Sequence, residues 1–173
     1  MLFALSGTPG TGKSTVTPFL ERNGYVVIDL DEFAAQVGAI RGKDPRTKSR
    51  EVDVEVLRSA KGTLPDGALL RSHYAHLLGT DVAIILRCHP RVLELRLRKR
   101  GWAARKVKEN VQAETLDVIT VEAFENSRIV YEVETTQDPP EVTARNLLQI
   151  LRGNGKRFLA GKIDYSEEVL AWY

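Results

Sequence analysis

One cysteine, Cys88, is all the thiol chemistry that these 173 residues carry. That excludes a disulfide framework and a thiolate metal cluster, and it fits a reducing compartment. No apolar run approaches the ~20 residues a membrane helix needs. A basic and then apolar leader is also missing, because Leu2-Phe3-Ala4-Leu5-Ser6 reads as a strand from the outset. No signal peptide and a cytoplasmic location are therefore expected. The net charge of +2 is too small to argue for nucleic-acid binding, and no direct sequence-specific contact with nucleic acid is expected. Internal repeats and low-complexity tracts are lacking too. With 43% apolar and 28% charged residues, what remains is an ordinary globular chain, long enough for one domain with a sizeable core.

What is there begins at once. Residues 7–14, Gly-Thr-Pro-Gly-Thr-Gly-Lys-Ser, complete the pattern GxxxxGK[ST] between an apolar strand and a helix-compatible stretch. In such a loop, successive backbone N–H groups curl round polyphosphate oxygens. The lysine reaches the β- and γ-phosphates, and the serine hydroxyl ligates Mg²⁺. Gly10, Gly12, Lys13, Ser14 and Thr15 are thus the expected holders of ATP, with Ser14 the expected Mg²⁺ ligand.

Hydrophobic periodicity predicts strands near 25–28, 68–70, 82–86 and 129–133 beside the first. Helices are predicted over 12–22, 33–40, 51–61, 90–100, 110–127 and 141–152, with Asn23-Gly24, Gly62 and Gly101 as stops. Pro18 should kink the first helix, because it deletes one backbone bond. Leu93 and Leu97, with Val92 and Leu95, form the apolar face of the fourth. Residues 41–46 read as a polar loop. Strands alternating with helices point to a parallel sheet covered on both faces. The chain after Gly153 reads as a tail of mixed order that docks a short segment, Ser166–Trp172.

The loop alone does not separate kinases, GTPases and motor-type ATPases. An Asn-Lys-x-Asp guanine-reading motif is absent, and no apolar strand ends in Asp at the usual Walker-B distance. Residues 87–108 hold nine Lys and Arg against Glu94 alone; such a stretch is commonly a solvated helix face, but beside a nucleotide site it can clamp phosphates.

Arg96-Leu97-Arg98-Lys99-Arg100-Gly101-Trp102 and the following Lys106-Val107-Lys108-Glu109-Asn110-Val111-Gln112-Ala113-Glu114 resemble the lid of the adenylate kinase isoenzyme 6 family. The loop variant, Ser72-His73-Tyr74-Ala75-His76-Leu77-Leu78, Leu86-Arg87 and the tail from Lys162 to Glu168 are similar to that family as well. The resemblance spans nearly the whole chain. It implies an α/β P-loop NTPase with a five-stranded parallel sheet flanked by helices, of the nucleoside monophosphate kinase type. A monophosphate-binding insertion would occupy about 29–52 and a short zinc-free lid about 99–109.

The implied reaction is reversible γ-phosphoryl transfer from ATP to AMP or another nucleoside monophosphate, with a slower ATPase. A role in late maturation of the small ribosomal subunit is also implied, through transient binding of its ribosomal protein eleven. By this resemblance Lys13, His73 and Arg100 are catalytic, His73 orienting water or phosphate and Arg100 closing with the lid onto ATP. Arg105 and Lys106 either touch the transferring group in a closed state or are solvated surface. His76 is a weaker candidate.

Two positions depart from the family. Its acidic residue two places before the histidine is Arg71 here, leaving Asp29 and Asp31 as candidate carboxylates near the metal. Its arginine on the first helix of the insertion is Ala35, for which Arg41, Arg46 or Arg50 would substitute. Both departures weaken acceptor chemistry more than ATP binding, so an ATP-switched assembly factor with little kinase activity is the alternative. A kinase for a sugar or shikimate-like alcohol is disfavoured by the lid.

Overall fold

The computed structural model describes residues 1–43 and 50–172. β1 (Phe3–Ser6) is the middle strand of a five-stranded sheet. Beside it run β2 (Val27–Asp29), β5 (Leu69–Arg71), β6 (Val82–Arg87) and β7 (Ile129–Glu134). Their order is β2-β5-β1-β6-β7, and every pairing is parallel. This is the sheet the alternation predicts. β6 is buried at all six positions, as a central parallel strand must be, since helices cover both faces.

The described residues also form seven α-helices: α1 (Lys13–Arg22), α2 (Leu30–Gln36), α3 (Val54–Ala60), α4 (Pro90–Lys99), α5 (Ala104–Thr115), α6 (Val118–Asn126) and α7 (Pro140–Leu151). Alternate residues of each strand serve opposite faces. Phe3, Leu5, Ile84 and Leu86 meet Val16 and Leu20 of α1 and Leu147 and Ile150 of α7. Ala4, Leu70, Ala83 and Ile85 meet Leu30 and Phe33 of α2, Leu57 of α3 and Ala123 of α6. Each fully buried leucine or isoleucine contributes about 1.5–3 kcal/mol. The chain leaves β1 for one edge and later crosses to the other through β6. The loop after β1 therefore opens at the point where strand order reverses, where ligands of such sheets bind.

Several elements differ from expectation. α2 starts at Leu30 rather than 33, because the Asp29 carboxylate accepts N–H bonds from Asp31 (2.9 Å) and Glu32 (3.3 Å). Residues 40–43 are a strand, not loop: β3 (Ile40–Lys43) pairs antiparallel with β4 (Arg50–Val52), so Glu51 and Val52 are not helical. α3 begins only after its Asp53 cap. The long helix expected over 110–127 is two helices, α5 starting earlier and α6 following a break at Asp117, which takes a left-handed φ of 54°. α1 continues through Pro18. Leu95 is exposed, while Leu93 and Leu97 are buried. The tail does dock Ser166–Trp172 as a 3₁₀ segment, tied by Glu168 accepting from Arg91 Nε at 2.9 Å.

Candidate active site

The loop after β1 closes onto α4. Gly10 has φ +97°, and a Cβ there would lie 2.9 Å from Leu93 Cδ1 and 3.0 Å from Leu97 Cδ2. Strain and contact both demand glycine. Gly12 caps α1 at φ 105° with no side-chain partner, and a Cβ on it would meet no protein atom. The first N–H groups of α1 are accordingly open to an anion, with the helix dipole behind them.

Lys13 folds back into the loop, its Nζ donating to the carbonyls of Gly7 (2.5 Å) and Thr8 (3.2 Å). Burial pushes its ammonium down to about 7; Glu114 opposes this, and Arg71 and Arg100 add to it. A polyphosphate arriving on Lys13 restores the charge, so binding at pH 8 is expected to take up a proton. Calorimetry of ATP binding in two buffers of different ionisation enthalpy reads this directly. Equal heats in both would refute it.

Two adjoining cavities flank the loop and share Gly10, Gly12, Thr15 and Arg100. The first is completed by Arg96, Thr135, Asp138, Pro140 and Thr143. Arg96 is held there by the Thr135 carbonyl, to which its Nη2 donates at 2.6 Å. Neither Arg96 nor the β7–α7 segment was singled out by sequence pattern. The R-L-x-x-R run contained Arg96, but only the fold brings Thr135 against it.

The second cavity gathers Lys13, Ser14, Asp29, Asp31, Arg71, Ser72, His73 and Arg100. It thus brings Gly10, Gly12, Lys13, Ser14, Thr15, His73 and Arg100 together with Asp29 and Asp31, but not His76, Arg41, Arg105 or Lys106. Burial lowers the His73 pKa, and Lys13 lowers it further, so its imidazole is neutral at pH 7. Asp31 accepts from the Tyr74 hydroxyl at 2.7 Å. Asp29 accepts from Arg71, whose other arm donates to Ser14 Oγ at 2.6 Å.

Other candidates lie elsewhere. His76 is buried, its Nδ1 3.0 Å from Ser6 Oγ and its Nε2 2.9 Å from Glu122; it is a packing residue. Arg105 donates to Glu109 at 2.8 Å on the exposed face of α5, and Lys106 Nζ stands 4.2 Å over the Trp102 ring. Arg41 donates to Asp53 at 2.8 Å, and Ala35 is exposed on α2. Arg46 lies outside the described residues.

Behind the loop sits a buried ionic cluster. Arg87, at the end of β6, pairs with Glu114 (2.9 Å), Glu132 and Asp117. Glu114 also accepts from Thr8 Oγ1 at 2.5 Å and from the Cys88 N–H at 3.0 Å. The carboxylate thereby joins α5, β6 and the phosphate loop. Asp117 serves Arg87 from its left-handed turn, which is the physical reason for the break between α5 and α6. Cys88 is buried and its thiol pushed up to about 11, chiefly by desolvation, so it is unreactive.

A central loop of this shape on a sheet of this order defines a P-loop kinase fold. The solved structures agree on the fold. YorR protein from Bacillus subtilis, in complex with phosphorylated GDP, matches at a TM-score of 0.61 with 16% identity, covering 88% of this chain and 96% of that one. Shikimate kinase from Acinetobacter baumannii matches at 0.59 with 18% identity, over 88% and 93%. The AAA domain family matches residues 4–117. A protein of Archaeoglobus fulgidus named "Putative adenylate kinase" is 42% identical over 172 residues, which is 98% of this chain and 94% of that protein. The chain belongs to the family that carries this name. Among the described residues, no helix is long and apolar enough to cross a membrane.

Such folds imply a nucleotide, and usually Mg²⁺ with it. The open N-terminus of α1 and the three cations of the second cavity fit a polyphosphate. Mg²⁺ on Ser14 does not fit this arrangement, because the Arg71 guanidinium stands 2.6 Å from the hydroxyl and would face the dication with like charge.

Proposed function

We propose that this protein is a nucleoside monophosphate kinase that moves the γ-phosphoryl group of ATP to AMP or a related monophosphate. The observation that carries this is the pair of cavities meeting at Gly10, Gly12, Thr15 and Arg100. One side takes the nucleoside of ATP against Arg96 and Thr135. The other receives the acceptor phosphate beside Ser72 and His73, so the transferring group lies between them over the loop.

In the reaction an acceptor phosphate oxygen attacks the γ-phosphorus, the bond to the β-bridging oxygen breaks, and ADP leaves. The protein positions the reactants and stabilises charge, with little covalent work to do. Lys13 and Arg100 hold charge on the phosphoryl oxygens. His73 orients the acceptor by a hydrogen bond. No step is routed through a metal.

A second reading is an ATP-switched assembly factor with ATPase activity, acting on small-subunit ribosomal protein eleven. It is favoured by Ala35, which brings no cation to the acceptor side, and by the exposed Val121 and Phe124 on α6. One assay separates the two. ATP is mixed with each common monophosphate, alongside a no-acceptor control, and diphosphate is counted. The kinase reading expects ADP from AMP well above the control. No diphosphate from any monophosphate would sink it, and phosphate release without acceptor would favour the switch.

A further inference from the structure

Arg71 ends β5, in register with Asp29 on β2 and Leu5 on β1. Its side chain is four-fifths buried, at 21% exposure. Nη1 donates to Ser14 Oγ at 2.6 Å, and Nη2 donates to the Asp29 carboxylate. Asp29 is itself immobilised, since it also caps α2. Both arms of the guanidinium are thus anchored on residues that line the cavity.

Ser14 is the loop residue whose hydroxyl ordinarily holds Mg²⁺. A dication on that oxygen would stand beside a fixed guanidinium, like charge against like. An acid in place of Arg71 would draw the metal in, whereas an arginine excludes it and supplies positive charge of its own. The guanidinium has five N–H donors. Two are used, and Nε is buried with no partner among the described residues. Donors therefore remain for phosphate oxygens, which guanidinium groups bind in charge-assisted pairs. Lys13 and Arg100 border the same cavity.

We propose that Arg71 is a nucleotide-binding residue that takes over charge neutralisation at the loop serine, so that the protein holds ATP nearly as tightly without Mg²⁺ as with it. The inference rests on the ATP reading above and adds a property that reading does not require.

Calorimetry on the full chain tests it, with a non-hydrolysable ATP analogue titrated in excess EDTA and in excess Mg²⁺. The wild-type dissociation constants in the two conditions are expected to agree within about threefold. Arg71→Gln, which keeps a polar amide but not the charge, should weaken metal-free binding by ten- to hundredfold, the range for losing a charge-assisted contact. With Mg²⁺ present its loss should be several-fold smaller. Arg71→Lys keeps the charge and should retain metal-free binding. It also guards against a folding defect, and thermal melts of all three proteins check the same point. Wild-type binding seen only with Mg²⁺ overturns the inference and leaves the ATP reading standing. So does an Arg71→Gln variant whose ratio between conditions is unchanged. No wild-type binding in either condition overturns both.

Discussion

Lys13→Met is expected to weaken ATP binding by about ten- to hundredfold and to cut phosphoryl transfer by a further ~10²–10³. The methionine fills similar space but removes the one ammonium inside the loop. That ammonium is satisfied by the carbonyls of Gly7 and Thr8 and depressed by burial to about 7. The fold therefore does not depend on its charge, and the variant should melt at or above the wild-type temperature.

The sign of the pH effect supports the same test. The folded-state pKa of Lys13 lies below the ordinary lysine value of 10.5. Between pH 7 and that value the unfolded chain keeps a proton the folded chain has released, so stability from this group rises with pH. The variant should lose that slope. Calorimetry, a coupled assay and pH-dependent melts read the three effects. Wild-type affinity in the variant would remove the phosphate-site reading altogether.

The second large effect concerns stability. Arg87→Met should destabilise the protein by about 3–5 kcal/mol, because it strands buried carboxylates without their cation. Glu114 and Glu132 are almost wholly buried, and Asp117 is partly so. Thr120 Oγ1 and the Gly161 N–H stay on Glu132, at 2.9 Å each, but they cannot neutralise it. Desolvation, only partly offset by Arg87, already raises the Asp117 pKa in the intact cluster. Without Arg87 the remaining carboxylates would take up protons, so the loss should be largest at neutral pH and shrink towards acid. Urea denaturation at two pH values measures this. A change below about 1 kcal/mol at pH 7 would show that the cluster is dispensable.

The same cluster explains where local pattern failed. Nothing in Leu116-Asp117 announces a helix break, since neither residue is glycine or proline. The break exists because Asp117 must turn back to Arg87, some thirty places earlier in the chain. The hairpin of β3 and β4 was missed for a related reason. Ile40 and Val52 sit in stretches too short and polar for clear alternation, and only their pairing across the insertion makes them strands. By contrast, Val82 to Leu86 is an unbroken apolar run, and its place in the middle of the sheet follows from that alone.

An anion cradle is made of consecutive backbone groups, and so residues 7–14 show the loop shape and its lysine in linear order and predict the class of ligand. Covered parallel strands likewise leave their apolar signature in linear order. Side-chain meetings across the sheet leave none. That Arg71 reaches Ser14, that Arg96 lines a cavity with Thr135, and that Glu114 braces the loop through Thr8 are facts of packing. Each joins residues tens of positions apart, and their partnership exists only once burial has brought the strands into register.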